Sequence, residues 1–186
     1  MIRLQGRRVT LRPFRDEDFD IVWLEERRDR GAFFEPLPDT REQRERLRSI
    51  LSGSGAWTRT QLRLAIEADG SLAGDIQARR DEDAMPPGVF ELGLGVFAGV
   101  RGRGLGTEAL ALMTSYLFDE EQAHRVQLST DVDNAAMRRI AERIGFVCEG
   151  VLRGFMPARD GVRDYALYAM TRSDYEDGKT PWTQTG

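Results

Sequence analysis

A glycine- and arginine-rich run, 101-RGRGLG-106, stands directly before an apolar helical pattern and carries the clearest chemical signal in the chain. Glycine loses more backbone entropy on ordering than any other residue, so a cluster of it here needs a reason. The first amides of a helix are unpaired and carry the positive end of the helix dipole, which suits an anion. Bare backbone lets such amides converge on phosphate oxygens, and Arg101 and Arg103 add positive charge. The run therefore predicts a pyrophosphate site, with a plain glycine turn as the alternative.

Two common phosphate-binding loops do not fit this run. A Walker A loop continues after its last glycine with Lys and then Ser or Thr, whereas Gly104 is followed by Leu105 and Gly106. The dinucleotide-binding fingerprint G-x-G-x-x-G differs in spacing from 102-GRGLG-106, and that fingerprint stands early in its fold rather than after several strands. The run therefore indicates another class of phosphate loop.

The hydrophobic patterns place the run between a strand and a helix. The predicted elements are a strand at 7–14, a helix capped by Asp16, a helix opened by Thr40 and reaching about Leu51, strands at 61–68, 71–78 and 89–97, a helix at 105–121, a strand at 124–132, a helix at 134–144, and strands at 146–155 and 162–170. The order β-α-α-β-β-β-α-β-α-β-β indicates an α/β (α+β) fold with an antiparallel meander in its middle. It contains too few βαβ units for a doubly wound sheet.

Length, charge and cysteine content limit the kinds of protein this can be. A chain of 186 residues is expected to form one domain, with a core at about 7–175 and a C-terminal tail at 176–186. No apolar run approaches the roughly 18 residues of a membrane span, and the start does not resemble a secretory signal. The single cysteine, Cys148, fits a reducing cytoplasm and is expected to be a buried strand residue. A net charge of −4 argues against general nucleic-acid affinity, and one cysteine with one histidine argues against a zinc site. We therefore expect a cytoplasmic protein that binds neither nucleic acid nor membranes and holds no metal.

Two blocks of sequence resemble a known enzyme family. The run 101-RGRGLG-106 matches the Arg/Gln-x-x-Gly-x-Gly/Ala signature of the GNAT superfamily of N-acetyltransferases. A second block resembles the RimJ/RimL-type branch, which acetylates the N-termini of ribosomal proteins, and consists of Asn134, Arg139, Glu142, 145-GF-146 and 149-EGVLR-153. The ending 163-RDYALYAMTRSDY-175 is also similar to that branch. The similarity spans about Arg7 to Tyr175.

This resemblance implies a fold and a site for acetyl-CoA. The implied fold is a mixed, mostly antiparallel central sheet flanked by helices, with a V-shaped splay between the strands at 91–97 and 124–132. The backbone of Val96, Phe97 and Ala98 would pair with the pantetheine arm. The pyrophosphate would lie against a segment that we call the phosphate loop, which consists of Arg101, Gly102, Arg103, Gly104, Leu105, Gly106 and Thr107. Asn134 would contact the pantetheine arm or its neighbouring backbone, and a helix N-cap is its alternative role.

Acetyl transfer to nitrogen requires a neutral amine, because an ammonium group has no lone pair. A lysine-type amine with a pKa of about 10.4 is neutral at pH 7 in only about one molecule in 2,500. Its deprotonation therefore costs roughly 4.6 kcal/mol of free energy. An α-amine with a pKa of about 7.7–8.0 has a handicap of only about 1–1.4 kcal/mol. A general base therefore matters much more for the first kind of acceptor than for the second.

Two carboxylates are candidates for handling the amine. Glu91 is the predicted base, directly or through water, because the resemblance places it at the start of the strand that carries the acetyl group. Alternation puts Glu91, Gly93 and Gly95 on one strand face, over a floor without side chains. A solvated strand-edge carboxylate is the alternative role of Glu91. Glu35, in the loop 33-FFEP-36, is the candidate for binding the substrate ammonium, and a solvated loop carboxylate is its alternative role.

The chain departs from the family at the general acid. The position of the usual tyrosine is Ala141, and the position of the serine common in the ribosomal branch is Met137. Ser129 is the candidate proton donor on the neighbouring strand. The alternatives are Thr130, a water molecule, or departure of the thiolate unprotonated, since a thiol has a pKa near 8.5. No nucleophile constellation surrounds Cys148, which argues against an acetyl-cysteine intermediate.

The sequence thus predicts an acetyl-CoA-dependent N-acetyltransferase. Its acceptor would be a primary amine, either a protein N-terminal α-amine or a small-molecule amine, which attacks directly in a ternary complex. A homodimer is compatible with the resemblance. Because Ala141 and Met137 cannot donate a proton, the alternative is a catalytically silent acyl-CoA-binding or sensor module.

Overall fold

The computed structural model describes residues 1–33, 38–81, 83, 85–159 and 161–178. The strands are β1 Leu4–Gln5, β2 Val9–Arg12, β3 Gln61–Ala68, β4 Ser71–Arg79, β5 Val89–Val96, β6 Arg125–Asp131, β7 Val147–Ala158 and β8 Gly161–Thr171. The α-helices are α1 Asp18–Phe33, α2 Arg41–Ser52, α3 Leu105–Asp119, α4 Ala135–Arg143 and α5 Arg172–Asp177. A 3-10 turn at Ala98–Val100 follows β5. The predicted order is confirmed, with β1, the 3-10 turn and α5 as additions.

The strands form one sheet in the order β1-β2-β3-β4-β5-β6-β8-β7, and β5 with β6 is its parallel pair. That pair is short, because its register ends where Glu91 meets Gln127. Beyond this point β5 continues along β4 as far as Val96, and β6 continues along β8 as far as Asp131. The two strands therefore diverge after Glu91, and the predicted V-shaped gap is confirmed.

The main core lies between the sheet and α3. Five apolar side chains of α3 are fully buried, namely Ala109, Leu110, Met113, Leu117 and Phe118. They pack against the inward-facing residues of β2, β4, β5 and β6. A smaller cluster joins α1 to α2 through Phe19, Val22, Trp23, Leu47 and Leu51, and Phe97 at the end of β5 packs against it. The strand that leads to the phosphate loop is thus held between both clusters.

Local turn and capping signals in the sequence are confirmed at two places. Asp69 and Gly70 join β3 to β4 with φ values of 52° and 74°, the positive pair that a tight hairpin turn requires. Thr40 caps α2, since its hydroxyl oxygen accepts a hydrogen bond of 3.2 Å from the Gln43 amide.

The start of α1 differs from the prediction, because the helix begins at Asp18 rather than directly after Asp16. Arg12 is only 2% exposed and binds Asp18 through two hydrogen bonds of 2.6 and 3.1 Å. Its Nε donates to Glu67 at 2.6 Å. Burial by itself would raise the pKa of the Asp18 carboxyl, but hydrogen bonds from Arg12 and from the Arg15 amide outweigh it and hold that pKa below its usual value. A buried ion-pair network thus connects α1 to β2 and β3.

Within the described ranges, no helix is both long enough and apolar enough to cross a membrane.

Candidate active site

The phosphate loop has a backbone that only glycine adopts readily at two positions. Gly102 and Gly104 have φ values of 78° and 81°, in the left-handed region. Gly104 is also the N-cap of α3 and supplies no side-chain cap. The first amides of α3 therefore have no partner within the helix, and no side chain at Gly104 covers them. This geometry is suited to an anion at the start of α3.

Gly106 has a second reason to be glycine, which sequence reasoning missed. A Cβ at this position would lie 3.3 Å from Val96, 3.4 Å from Leu94 and 3.5 Å from Ile140. The glycine thus lets the first turn of α3 pack closely against β5 and α4. Its neighbours Leu105 and Thr107 are buried as well.

The strand end that is predicted to meet pantetheine already makes hydrogen bonds within the protein. Arg101 Nε donates to the Val96 carbonyl oxygen at 2.7 Å. The Phe97 amide donates to the Ala73 carbonyl at 2.9 Å, which prolongs the pairing of β4 with β5. Ala98 begins the 3-10 turn. The guanidinium of Arg101 is therefore placed on backbone that the resemblance assigns to the donor.

Asn134 caps the start of α4, which is the alternative role that the sequence indicates for it. Its Oδ1 accepts a hydrogen bond of 3.1 Å from the Met137 amide, so it is the N-cap of α4. The predicted contact with pantetheine stays a prediction.

Glu91 lies at the vertex where β5 and β6 stop pairing. Arg79 on β4 approaches its Oε1 to 2.5 Å, and Gln127 on β6 approaches its Oε2 to 3.5 Å. The Glu91 side chain is 27% exposed. Oε1 of Glu91 is thus held by the Arg79 guanidinium, whereas Oε2 makes only a long contact with the Gln127 amide.

The glycine floor beside Glu91 is partly covered by side chains from β4. A Cβ on Gly93 would lie 2.7 Å from Gln77 Nε2, and a Cβ on Gly95 would lie 3.3 Å from Asp75 Oδ1. Gly93 and Gly95 follow Glu91 on the same strand face. The floor is therefore lined by an amide and a carboxylate, whereas the sequence predicted bare backbone.

Ser129 and Thr130 differ in which face of β6 they occupy. Thr130 is buried at 5% exposure and points toward the core. Ser129 is half-buried and follows Gln127 by two residues, so it shares the strand face of Gln127. The structure thus places Ser129 on the β6 side of the gap and on the face that carries Glu91.

The two positions that lack a proton donor point toward the protein interior. Ala141 is fully buried, and Met137 packs against the main core. Tyr168 on β8 approaches α4, but it is fully buried and its hydroxyl donates to Glu142 at 2.7 Å. Burial raises the pKa of Tyr168. This tyrosine therefore fastens α4 to β8 and is not exposed to the gap.

Three hydrogen bonds to the phosphate loop and the first turn of α3 were missed because they join residues about 100 positions apart. Arg8 Nη1 donates to the Arg103 carbonyl at 2.7 Å. Glu108, in the first turn of α3, is 5% exposed and accepts hydrogen bonds from the amides of Arg8 and Val9. The turn between β1 and β2 is thus bound to the loop from outside the gap.

The remaining expectations concern Glu35, Cys148 and a metal site. Glu35 lies outside the described residues. Cys148 was expected to be buried, but it is exposed because β7 is the last strand of the sheet. Among the residues that the structure describes, no three His, Cys, Asp or Glu side chains form a group that could hold a metal ion.

The gap between β5 and β6, with a glycine loop at the start of α3, is the arrangement that the resemblance implies. A family model described as an acetyltransferase (GNAT) domain matches residues 8–147. The chain belongs to the GNAT acetyltransferase family. The range of the match includes the phosphate loop, both diverging strands and α4. This GNAT protein is therefore an acetyltransferase.

Known relatives agree with this assignment. The GNAT chain is 27% identical over 143 residues to YdaF of Bacillus subtilis (strain 168), which is named as a candidate ribosomal N-acetyltransferase, and the match covers 77% of this chain and 70% of YdaF. A candidate acetyltransferase of T. thermophilus superposes with a TM-score of 0.76 at 26% identity, covering 96% of this chain and 94% of that one. RimJ of Mycobacterium smegmatis, solved with CoA-disulfide, has a TM-score of 0.75 at 23% identity, covering 96% and 95%, and shows the shared fold.

Proposed function

We propose that this GNAT acetyltransferase uses acetyl-CoA and transfers the acetyl group to a primary amine by direct attack in a ternary complex. The observation that carries the proposal is the gap that opens after Glu91 and leads to the phosphate loop. A strand-like pantetheine arm fits between two diverging strands, and the pyrophosphate fits the unpaired amides of α3. The shared fold with RimJ, which was solved with CoA-disulfide, supports this placement.

In this proposal, binding of acetyl-CoA gives the Arg101 side chain a new partner. Its Nε now donates to the Val96 carbonyl, which is one of the groups proposed to pair with pantetheine. Binding of the arm would compete for that carbonyl and release the guanidinium to the pyrophosphate, where Arg103 adds a second positive charge. The remaining donor contacts proposed are the backbone of Phe97 and Ala98, the amides of Gly102 to Thr107, and Asn134.

For the acceptor, we propose a protein N-terminal α-amine rather than a polyamine. Carboxylates of the described strands on the Glu91 face each have an arginine partner: Arg63 with Asp75 at 2.8 Å, Arg79 with Glu91 at 2.5 Å, Arg163 with Asp131 at 3.5 Å and Arg125 with Glu149 at 2.6 Å. The described strands of this face therefore carry no carboxylate without an arginine partner that could attract a polycation. The relative YdaF is named as a candidate ribosomal N-acetyltransferase, which supports a protein acceptor.

We propose Glu91 Oε2 as the oxygen that takes the amine proton, directly or through water, because Arg79 already holds Oε1. Ser129, on the same face across the gap, is the proposed proton donor to the leaving thiolate and would regain its own proton from solvent. Glu35 stays proposed as the contact for the substrate ammonium.

An acceptor screen tests the function as a whole. Free CoA release would be measured with acetyl-CoA and a panel of N-terminal peptides, lysine-containing N-blocked peptides, spermidine and small aminated antibiotics. Turnover is expected with the free N-terminal peptides, and turnover with spermidine alone would contradict the proposed acceptor. Binding of acetyl-CoA by calorimetry without turnover of any amine would instead support the silent-module alternative.

Replacing Glu91 with glutamine is expected to lower kcat/KM for an α-amine by about five- to ten-fold near pH 7, which is what deprotonating that amine is worth. The loss should shrink above about pH 8, where an α-amine is already neutral. The pH profile from 6 to 9 is the measurement. Glu149→Gln is the matched control, since Glu149 also pairs with an arginine but lies on the outer strand β7. A loss of equal size at every pH would exclude Glu91 as the base.

A further inference from the structure

The turn between β1 and β2 is fixed to the first turn of α3 by a buried carboxylate. The Gly6 amide donates to the Val9 carbonyl at 2.8 Å and closes the turn. Glu108 Oε1 then accepts hydrogen bonds from the Arg8 amide at 2.9 Å and the Val9 amide at 3.2 Å. These bonds hold the backbone of Arg8 in one place relative to α3.

Gly6 is required for that close approach. A Cβ on Gly6 would lie only 2.3 Å from Glu108 Oε1, so a side chain there would displace the carboxylate from the two amides. The Glu108 carboxylate therefore occupies the space that a side chain at position 6 would fill. The two amides of the turn satisfy Oε1, as a buried polar atom requires.

From this fixed backbone, the Arg8 side chain reaches the phosphate loop. Its Nη1 donates to the Arg103 carbonyl at 2.7 Å, and it lies 3.9 Å from where a Cβ on Gly104 would stand. The bonded carbonyl lies between Gly102 and Gly104, the two left-handed residues of the loop. Such glycines give the peptide between them several accessible orientations.

Holding that carbonyl also orients an amide. The carbonyl of Arg103 and the N–H of Gly104 belong to one planar trans peptide, so they point in opposite directions. When Arg8 holds the oxygen on its own side, the N–H of Gly104 faces away from Arg8. A preformed donor binds an anion without first losing conformational freedom.

We propose that Arg8 is a positioning residue for the phosphate loop: through the Arg103 carbonyl it orients the peptide whose N–H binds the pyrophosphate of the donor. It therefore acts on the affinity for CoA and not on the transfer of the acetyl group. This inference rests on the proposed function, because it assumes that the loop binds CoA.

The test compares two variants. Arg8→Met removes the hydrogen-bond donor to the Arg103 carbonyl, and Arg8→Lys restores a hydrogen-bond donor. Arg7→Met is the control for the loss of a neighbouring arginine. CoA binding is measured by calorimetry at several salt concentrations. Kinetics are measured with acetyl-CoA and with S-acetylpantetheine, a donor that lacks the pyrophosphate.

Arg8→Met is expected to weaken CoA binding by about five- to ten-fold, the value of one lost hydrogen bond. KM for acetyl-CoA should rise in parallel with unchanged kcat, and kinetics with S-acetylpantetheine should match the wild type. Arg8→Lys should recover most of the affinity, and Arg7→Met should bind like the wild type. The ratio of the Arg8→Met and wild-type dissociation constants should not change with salt.

Three results would overturn the inference. Unchanged CoA binding by Arg8→Met would show that the loop holds its own shape. An equal loss with S-acetylpantetheine would show a general effect on the enzyme. A ratio that shrinks with rising salt would show a direct charge contact with phosphate instead of positioning. Failure of the wild type to bind CoA would instead contradict the proposed function.

Discussion

Replacing Gly104 with valine is expected to weaken acetyl-CoA binding by about ten- to a hundred-fold. Gly104 has a φ of 81° at the N-cap of α3, and a β-branched residue is strained in that region. A strain of about 1–3 kcal/mol corresponds to that range of affinity if the loop escapes it by leaving the binding conformation. Calorimetric titration with CoA measures the change.

Gly99→Ala is the matched control for this variant. Gly99 lies in the same connection between β5 and α3, its φ is not positive, and a Cβ there would meet nothing within 4 Å. It should bind CoA like the wild type. If Gly104→Val binds CoA as tightly as Gly99→Ala, the loop does not use its left-handed backbone to hold the ligand.

Replacing Asp18 with asparagine is expected to lower the free energy of unfolding by about 3–5 kcal/mol. The change removes one charge of a buried pair and leaves Arg12 with the Glu67 carboxylate and the Pro13 carbonyl. The two side chains of the pair are 3% and 4% exposed, so water cannot replace the lost partner. Urea denaturation at pH 7 measures the effect. Asp20→Asn, an exposed change in the same helical turn, should stay within about 0.5 kcal/mol of the wild type.

The stability that the Asp18 ion pair contributes should fall at acidic pH. The pKa of Asp18 is lower in the folded protein than its ordinary value of 3.8, so the folded state favours the ionised carboxylate. Its stabilisation is therefore complete above that ordinary value and disappears as the pH falls through the lower folded value. The difference in stability between wild type and Asp18→Asn should consequently narrow below about pH 4. A difference that stays constant down to pH 2 would contradict the role assigned to the ion pair.

The features that sequence reasoning predicted are those with local signals. The hairpin at Asp69 and Gly70 needs a particular turn chemistry, and the phosphate loop needs glycines at fixed spacing. The V-shaped gap came from the family resemblance, which rests on the phosphate loop and on the block after Asn134. Elements with strong periodicity, such as α3, were correct to within two residues at their ends.

What sequence reasoning missed depends on contacts between distant parts of the chain. Arg12 reads as an ordinary polar strand residue, and only the folded chain brings Asp18 and Glu67 around it. Arg8 and Glu108 are 100 positions apart, and no spacing rule connects them. The side chains of Gln77 and Asp75 cover the glycine floor because of the strand register, which the sequence does not reveal.

The divergence of β5 from β6 also bears on how unpaired strand sides are kept from pairing with other sheets. Each strand has one side without a strand partner beyond Glu91 and Gln127, and unpaired backbone of this kind normally invites another sheet to add a strand. Here the two free sides face each other and meet at a closed vertex, so a neighbouring molecule would have to thread a single extended segment between them. The V-shaped gap therefore limits access to these strand sides to a single extended segment, which disfavours aggregation through them.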